Sequence, residues 1–258
     1  MHFLGFLDQS MSLRFNLHDN LDKLRKFRSR AILPVRSNID DFADNFVAVE
    51  DFNTSFSHSF NPDLHLIASM GNLEEMYSGL GGEVLYRPFN KRYAFGAELW
   101  QAFKRDPDTF LNLGVNGDHI LSGHVNGWYH IPRYDAKIKA SVGRYLAGDI
   151  GGDLTLSKTF KNGATMEGFV TMTDQADIDA FGSAAHAYQG IRIQVPLGGF
   201  RYIPQNTTAS LTAEPLGRDT GQRLDAPYSL YETTDPFSKD HMVQHWGRVL
   251  DSSKSAIE

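Results

Sequence analysis

From Phe52 to about Glu214 the chain reads as a succession of strand-length segments in which apolar and polar side chains alternate. Successive side chains of a β-strand point to opposite faces, so such a series specifies a sheet with one apolar and one polar surface. The clearest segment is Phe52 to Phe60, where Phe52, Phe56 and Phe60 share a face with Thr54 and His58. Its other face carries only Asn53, Ser55, Ser57 and Ser59. A soluble sheet turns a phenylalanine face inward to a core, whereas a membrane barrel turns it outward to lipid. Alternation alone is compatible with both.

Turn residues divide the pattern into elements. A strand is expected over Met11 to Asn20, then a basic stretch around Lys23 to Arg30, and a short helix over Ser37 to Asn45 capped by Ser37 or Asn38. Further strands are expected at Phe52–Phe60, from Leu64 to Gly71, Gly79 to Phe89, Tyr93 to Lys104, His119 to Ile131, Ala136 to Leu146, Gly151 to Phe160, Ala164 to Met172, Gly190 to Leu197 and Thr207 to Glu214. Lys161-Asn162-Gly163 marks a hairpin, because Asn-Gly readily takes the positive φ angles of a type I′ turn. Besides Ser37 to Asn45, helix is expected only as a turn near Asp174 to Phe181 and over Lys239 to Val249. Most of these strands exceed the roughly 5 to 6 residues usual in soluble domains and approach the roughly 9 to 11 of a tilted membrane strand. The expected fold is therefore all-β: an antiparallel up-and-down β-barrel of about ten strands with short peripheral helices. Three regions follow: a leading strand with a connecting or plug segment over 1–48, a strand meander over 49–216, and a tail with a short helix over 217–258. Tyr86, Phe89, Tyr93, Trp128, Tyr129, Tyr134 and Tyr202 stand near strand ends, where membrane barrels carry aromatic girdles.

Composition narrows the function. A net charge of −6, with acids and bases interspersed, leaves no basic stripe for nucleic acid. The absence of cysteine removes disulfides, thiolate metal sites and thiol catalysis. No stretch approaches the roughly 20 apolar residues of a membrane helix, so any span must consist of strands. The start, MHFLGFLDQS, has no basic region before its apolar run and reads as ordinary chain.

Two stretches, Gly71-Asn72-Leu73-Glu74-Glu75-Met76-Tyr77-Ser78-Gly79-Leu80-Gly81-Gly82-Glu83-Val84-Leu85-Tyr86-Arg87-Pro88-Phe89 and Val142 to Phe160, resemble the YjbH family of exopolysaccharide-biosynthesis proteins. Arg192-Ile193-Gln194-Val195-Pro196-Leu197, Thr220-Gly221-Gln222-Arg223-Leu224, Tyr228-Ser229-Leu230-Tyr231 and Trp246-Gly247-Arg248-Val249 continue the resemblance, which runs from about Arg36 to Asp251. It implies a Gram-negative outer-membrane β-barrel, often described as a lipoprotein. Members of that family are typically longer and begin with an export signal. The chain then corresponds to their C-terminal portion, with either some strands of the barrel or a whole preceding domain lying outside it.

Several motifs suggest chemistry and give a simpler reading. Glu74 and Glu75 are adjacent, so on a strand they face opposite ways and cannot flank one glycosidic bond; a solvated strand end is expected. Gly79, Gly81 and Gly82 precede a strand rather than a helix, which fits bends in a barrel wall and not a phosphate loop. The same holds for Gly148, Gly151 and Gly152 around Asp149. His241 and His245 are four apart on the expected terminal helix but lack a third ligand, and His119, His124 and His130 read as lumen histidines. No Gly-x-Ser-x-Gly elbow is present.

The expected lumen faces carry Glu83, Arg87, Glu98, Trp100, Lys139, Tyr145, Asp153, Glu167 and Arg192 as candidate substrate-binding residues. Rings can stack on sugars and charges can bond hydroxyls or uronates; the simpler alternative is that these charges pair to fill the barrel. The expected function is non-catalytic assistance to exopolysaccharide export or surface assembly in the bacterial outer membrane. Its partners would be outer-membrane lipid, the exopolysaccharide and other proteins of the same export pathway, with no nucleic acid, cofactor or metal. A carbohydrate-binding structural module and a polysaccharide-modifying enzyme are the competing classes.

Overall fold

The computed structural model describes residues 6–16, 34–43, 46–109, 112–115, 117–160, 162–178, 184–198, 203, 207–215, 217–239 and 241–242. Its eleven strands are β1 (Phe6–Phe15), β2 (Val47–Asn61), β3 (Leu64–Asn72), β4 (Tyr77–Tyr86), β5 (Tyr93–Lys104), β6 (His119–Ile131), β7 (Ala136–Arg144), β8 (Ile150–Thr159), β9 (Thr165–Ile178), β10 (Ala184–Pro196) and β11 (Thr208–Ala213). They form one sheet in sequence order, every pairing antiparallel. Among the described residues β1 and β11 each have a single neighbour, so the sheet is open. This is the all-β meander expected from the alternation, left incomplete as a barrel.

The sheet is apolar on the outside. Phe52, Phe56 and Phe60 are exposed while Asn53 and Ser55 are buried, and the same parity places Leu99, Val125, Val142 and Leu154 outward. Ser69, Glu83, Ser122, His124, Asn126, Ser141 and Thr171 are buried on the other face. A water-soluble sheet has the opposite arrangement.

The polar face is covered by the chain's own tail. Arg223 bonds β5, β6, β7 and β8 from one side, and Tyr228 reaches Asp8 on β1. The sheet therefore curves around residues 217–239. Among the described residues, buried apolar side chains gather in two clusters. Val35, Phe42, Met76, Tyr77, Ala102 and Leu146 form one at the rim made by the β3–β4, β5–β6 and β7–β8 turns. Ile67, Leu85, Ala94, Trp128 and Leu230 form the other toward the opposite rim. A polar belt lies between them.

Several local expectations are corrected. β1 spans Phe6–Phe15, with Leu7, Met11, Leu13 and Phe15 exposed, and so starts upstream of the expected strand; residues 17–20 of that expectation lie outside the described set. The early helix, α1, is Ile39–Ala43 and begins two residues later than expected; residues 44–45 lie outside the described set. No helix occupies Asp174 to Ile178, where β9 continues and pairs with β10; residues 179–181 lie outside the described set. The tail forms α2 (Leu230–Thr234) and a single 3₁₀ turn (Asp235–Phe237), and most of the helix expected over Lys239 to Val249 lies outside the described residues. At the Asn-Gly hairpin Gly163 takes positive φ, 84°, whereas Asn162 does not, and the Gly163 N–H donates to the Phe160 carbonyl. A type I′ turn needs two positive φ angles, so this is instead a three-residue loop closed by a left-handed glycine.

The aromatic girdle is partly as expected. Tyr86, Phe89, Tyr93, Tyr129 and Tyr134 are exposed around the rim formed by the β2–β3, β4–β5, β6–β7 and β8–β9 turns, with Phe60 and Phe160 beside them. Trp128 does not join them. As the immediate neighbour of Tyr129 it must face the other way, and it is buried on the polar side. Tyr202 lies outside the described residues.

Candidate functional site

The belt at mid-height of the strands is built around one cation from the tail. Arg223 Nη2 donates to Glu98 Oε1 on β5 at 2.5 Å and to Asn126 Oδ1 on β6 at 2.9 Å. Its Nη1 donates to Asp153 Oδ2 on β8 at 3.1 Å and to Ser141 Oγ on β7 at 3.2 Å. The planar guanidinium fork suits this task, because its fixed donors can serve several acceptors at once. His124 Nδ1 lies 3.1 Å from Glu98 Oε1, and the Tyr145 hydroxyl donates to Asp153 Oδ2 at 3.1 Å. The His124 and Tyr145 rings meet edge-on at 4.6 Å.

Above and below the belt the tail is held by carboxylates. Asp149 Oδ2 accepts the Gly221 N–H at 2.8 Å, and Glu83 Oε2 accepts the Leu230 N–H at 2.8 Å. Asp219 Oδ1 accepts three successive backbone N–H groups, from Val35, Arg36 and Ser37, at 2.7–2.9 Å. This ties the segment before α1 to the tail. Glu74 pairs with Arg36 at 2.7 Å and accepts the Asp225 N–H at 2.9 Å. Glu75 pairs with Arg14 at 2.5 Å. The expected solvated strand end is therefore wrong for this acidic pair: both carboxylates sit in the β3–β4 turn and anchor other segments. Burial pushes the Glu75 carboxyl up despite Arg14.

At the aromatic rim, Arg87 and Lys137 share Asp235 Oδ1 at 2.5 and 2.9 Å. Burial opposes charge on that carboxyl, yet Lys137 and Arg87 outweigh it and hold Asp235 down to about 2. Arg87 also lies 4.2 Å over the Tyr231 ring, and that ring stacks on Trp128 at 4.5 Å.

The nine candidate residues separate into groups. Glu98, Tyr145 and Asp153 converge on Arg223, while Glu83 and Arg87 hold the tail farther along. Lys139 stands 5.9 Å from the Trp128 ring, and Trp100 is buried with its ring against Gly81. Glu167 and Arg192 form a cross-strand pair at 3.1 Å apart from the belt. Arg223, Asn126, Ser141, Tyr231 and Asp235 were not among the candidates. Arg223 and Tyr231 fall within family-like blocks, the only sequence signal that could have drawn attention to them. His241 faces Asp235 at 3.3 Å, and His245 lies outside the described residues. Gly148, at φ 82°, sits in the β7–β8 turn beside Asp149, as a bend glycine should.

The family model described as "Exopolysaccharide biosynthesis protein YbjH" matches residues 2–236. Among curated proteins, the chain is 32% identical over 229 residues to "Uncharacterized lipoprotein YjbH" of Escherichia coli (strain K12). That match covers 86% of the chain and 32% of the relative, so the chain spans about a third of the relative's length. No solved structure gives a significant match. A sheet with an apolar outer face, a polar belt and the blocks around Gly71–Phe89 and Val142–Phe160 thus belongs to a chain of the YjbH family, whose description ties it to exopolysaccharide biosynthesis.

Proposed function

We propose that the chain forms part of an outer-membrane β-barrel wall that assists exopolysaccharide export or surface assembly without catalysing a reaction. The observation that carries this reading is the outward apolar face. On β6 it runs from Leu121 through Val125 to Tyr129, all exposed. Eight residue steps at about 3.4 Å span roughly 27 Å along the strand, or about 20 Å after a tilt of about 40°. This approaches the roughly 25 Å apolar band of outer-membrane barrels, and the aromatic rim fits one interfacial girdle. A lipoprotein relative and a family tied to exopolysaccharide biosynthesis support the compartment and the pathway.

The tail favours a second reading. Residues 217–239 lie where a permeating polymer would pass, which suits a binding or assembly module better than a permanently open pore. Planar-bilayer recordings separate the two: steady conductance indicates a pore, while polymer binding without conductance indicates a module.

The membrane reading is tested by Leu154→Arg on the outward face of β8, with Thr155→Arg on the inward face as its counterpart. In a lipid-facing wall an arginine near mid-depth costs about 2–4 kcal/mol, so Leu154→Arg should lower folding yield into lipid vesicles and remove the heat-modifiable band on gels. A compact, detergent-independent monomer in water, indifferent to Leu154→Arg, overturns the reading.

A further inference from the structure

The two main cavities on the polar side have opposite charge. One, about 620 Å³, lies where β1 approaches β10 and the segment after β11, and six carboxylates, among them Glu50, Glu74 and Glu214, face Arg36 and Arg218 there. The other, about 490 Å³, opens at the aromatic rim. Its lining contains Arg87, Lys91, Arg92, Lys137 and Lys239 and no aspartate or glutamate. Nearby Asp235 answers Arg87 and Lys137, whereas Lys91, Arg92 and Lys239 enter no ion pair among the described residues. Phe89, Tyr93, Tyr231 and Phe237 supply ring surface to the same cavity.

With Arg87 and Lys137 answered by Asp235, the three remaining cations, Lys91, Arg92 and Lys239, leave this apolar-walled hollow net positive. Such a site attracts an anion and strengthens its hydrogen bonds by excluding water. Arginine forks and lysine ammonium groups recognise carboxylate or phosphate, and aromatic rings accept the C–H faces of a sugar. The volume lies within the roughly 300–1,000 Å³ usual for small-ligand clefts. We propose that this rim cavity is a binding site for an anionic sugar unit, a saccharide bearing a carboxylate or phosphate. The inference rests on the exopolysaccharide reading and narrows it: the polymer handled at this rim is acidic. The acidic cavity near the other rim would repel the same polymer, so the charge pattern favours occupancy at the aromatic rim.

Titration calorimetry of the intact chain tests the site with a trimer of galacturonate and its neutral counterpart, a trimer of galactose, at low and high salt. The acidic trimer should bind at least tenfold more tightly than the neutral one, and its affinity should fall as salt rises. Lys91→Gln combined with Arg92→Gln should reduce that affinity at least tenfold while leaving the heat-modifiable gel shift intact. Equal binding of the two trimers, or no change in the double variant, overturns the site. Competition by inorganic phosphate at the trimer's own affinity also overturns it, since the cavity would then be an ion site only. A glucosamine disaccharide phosphate separates the source of the anion: binding at or above the affinity of the galacturonate trimer assigns the cavity to glycolipid headgroups and sinks the polymer reading. The two proposals fail separately. Acid-trimer binding by a protein that needs no detergent keeps the site and removes the membrane wall; detergent-dependent folding without trimer binding does the reverse.

Discussion

Replacing Arg223 with Met should detach the tail from the sheet while the strands remain paired. The change removes two charge-assisted bonds, to Glu98 at 2.5 Å and to Asp153 at 3.1 Å, and two further bonds, to Asn126 and Ser141. Glu98 and Asp153 would then face each other's strands with no shared cation. Truncating one partner of a buried pair costs about 3–5 kcal/mol, mostly because the remaining charge is stranded. Arg223 keeps 22% of its side chain exposed and Glu98 keeps 18%, so water screens this pair and the cost falls to or below the low end of that range, about 2–3 kcal/mol. Arg223→Lys retains the charge but cannot span both carboxylates, and should cost roughly 1 kcal/mol. Two readouts are needed: urea unfolding of the sheet and protease nicking of residues 217–239. The tail should become cleavable at urea concentrations where the sheet is still intact. Pairing Arg223→Met with Glu98→Gln should recover about 1–2 kcal/mol, because the stranded charge is removed as well. If Arg223→Met changes neither readout more than the exposed control Arg133→Met, or if the double variant shows no coupling, the guanidinium does not fasten the tail.

Two other outcomes follow from the same packing. A Cβ at Gly81 would stand 2.3 Å from the Leu99 carbonyl and 2.6 Å from the Trp100 ring, whereas one at Gly168 would meet nothing within 4 Å; Gly81→Ala should therefore lose about 1–3 kcal/mol in urea melts and Gly168→Ala should stay within about 0.5 kcal/mol. Asp235 is held from an ordinary 3.8 down to about 2, so its contribution to docking, roughly 2 kcal/mol, is complete above about pH 4 and disappears as pH falls toward 2. Pepsin should nick the tail increasingly across that interval, and Asp235→Asn should abolish the trend.

The parts of the structure set by local rules were legible in the sequence. Parity along each strand assigned Phe52, Phe56 and Phe60 to one face and placed Glu98, Lys139, Asp153 and Glu167 on the other, because the two-residue period needs no knowledge of the rest of the chain. The same rule applied strictly would have kept Trp128 out of the girdle that contains Tyr129. Which face met water was not legible, since alternation has no inside. The tail was equally hidden. Arg223 lies 125 residues from Glu98 and 70 from Asp153, and no pattern near residue 223 announces which carboxylates it will meet. The hairpin at Gly163 was located correctly but its type was not, because two- and three-residue loops can share the same Asn-Gly pair.

The two unpaired edges carry a constraint of their own. In a meander of eleven strands, the first and the last run in the same direction. Joining β1 directly to β11 would set one parallel ladder into a wall that is otherwise antiparallel. A seam of uniform polarity instead requires an odd number of strands to be inserted between these edges, whether they come from the same polypeptide or from another. Strand parity alone thus limits the sizes of closed barrel that can be built around this sheet.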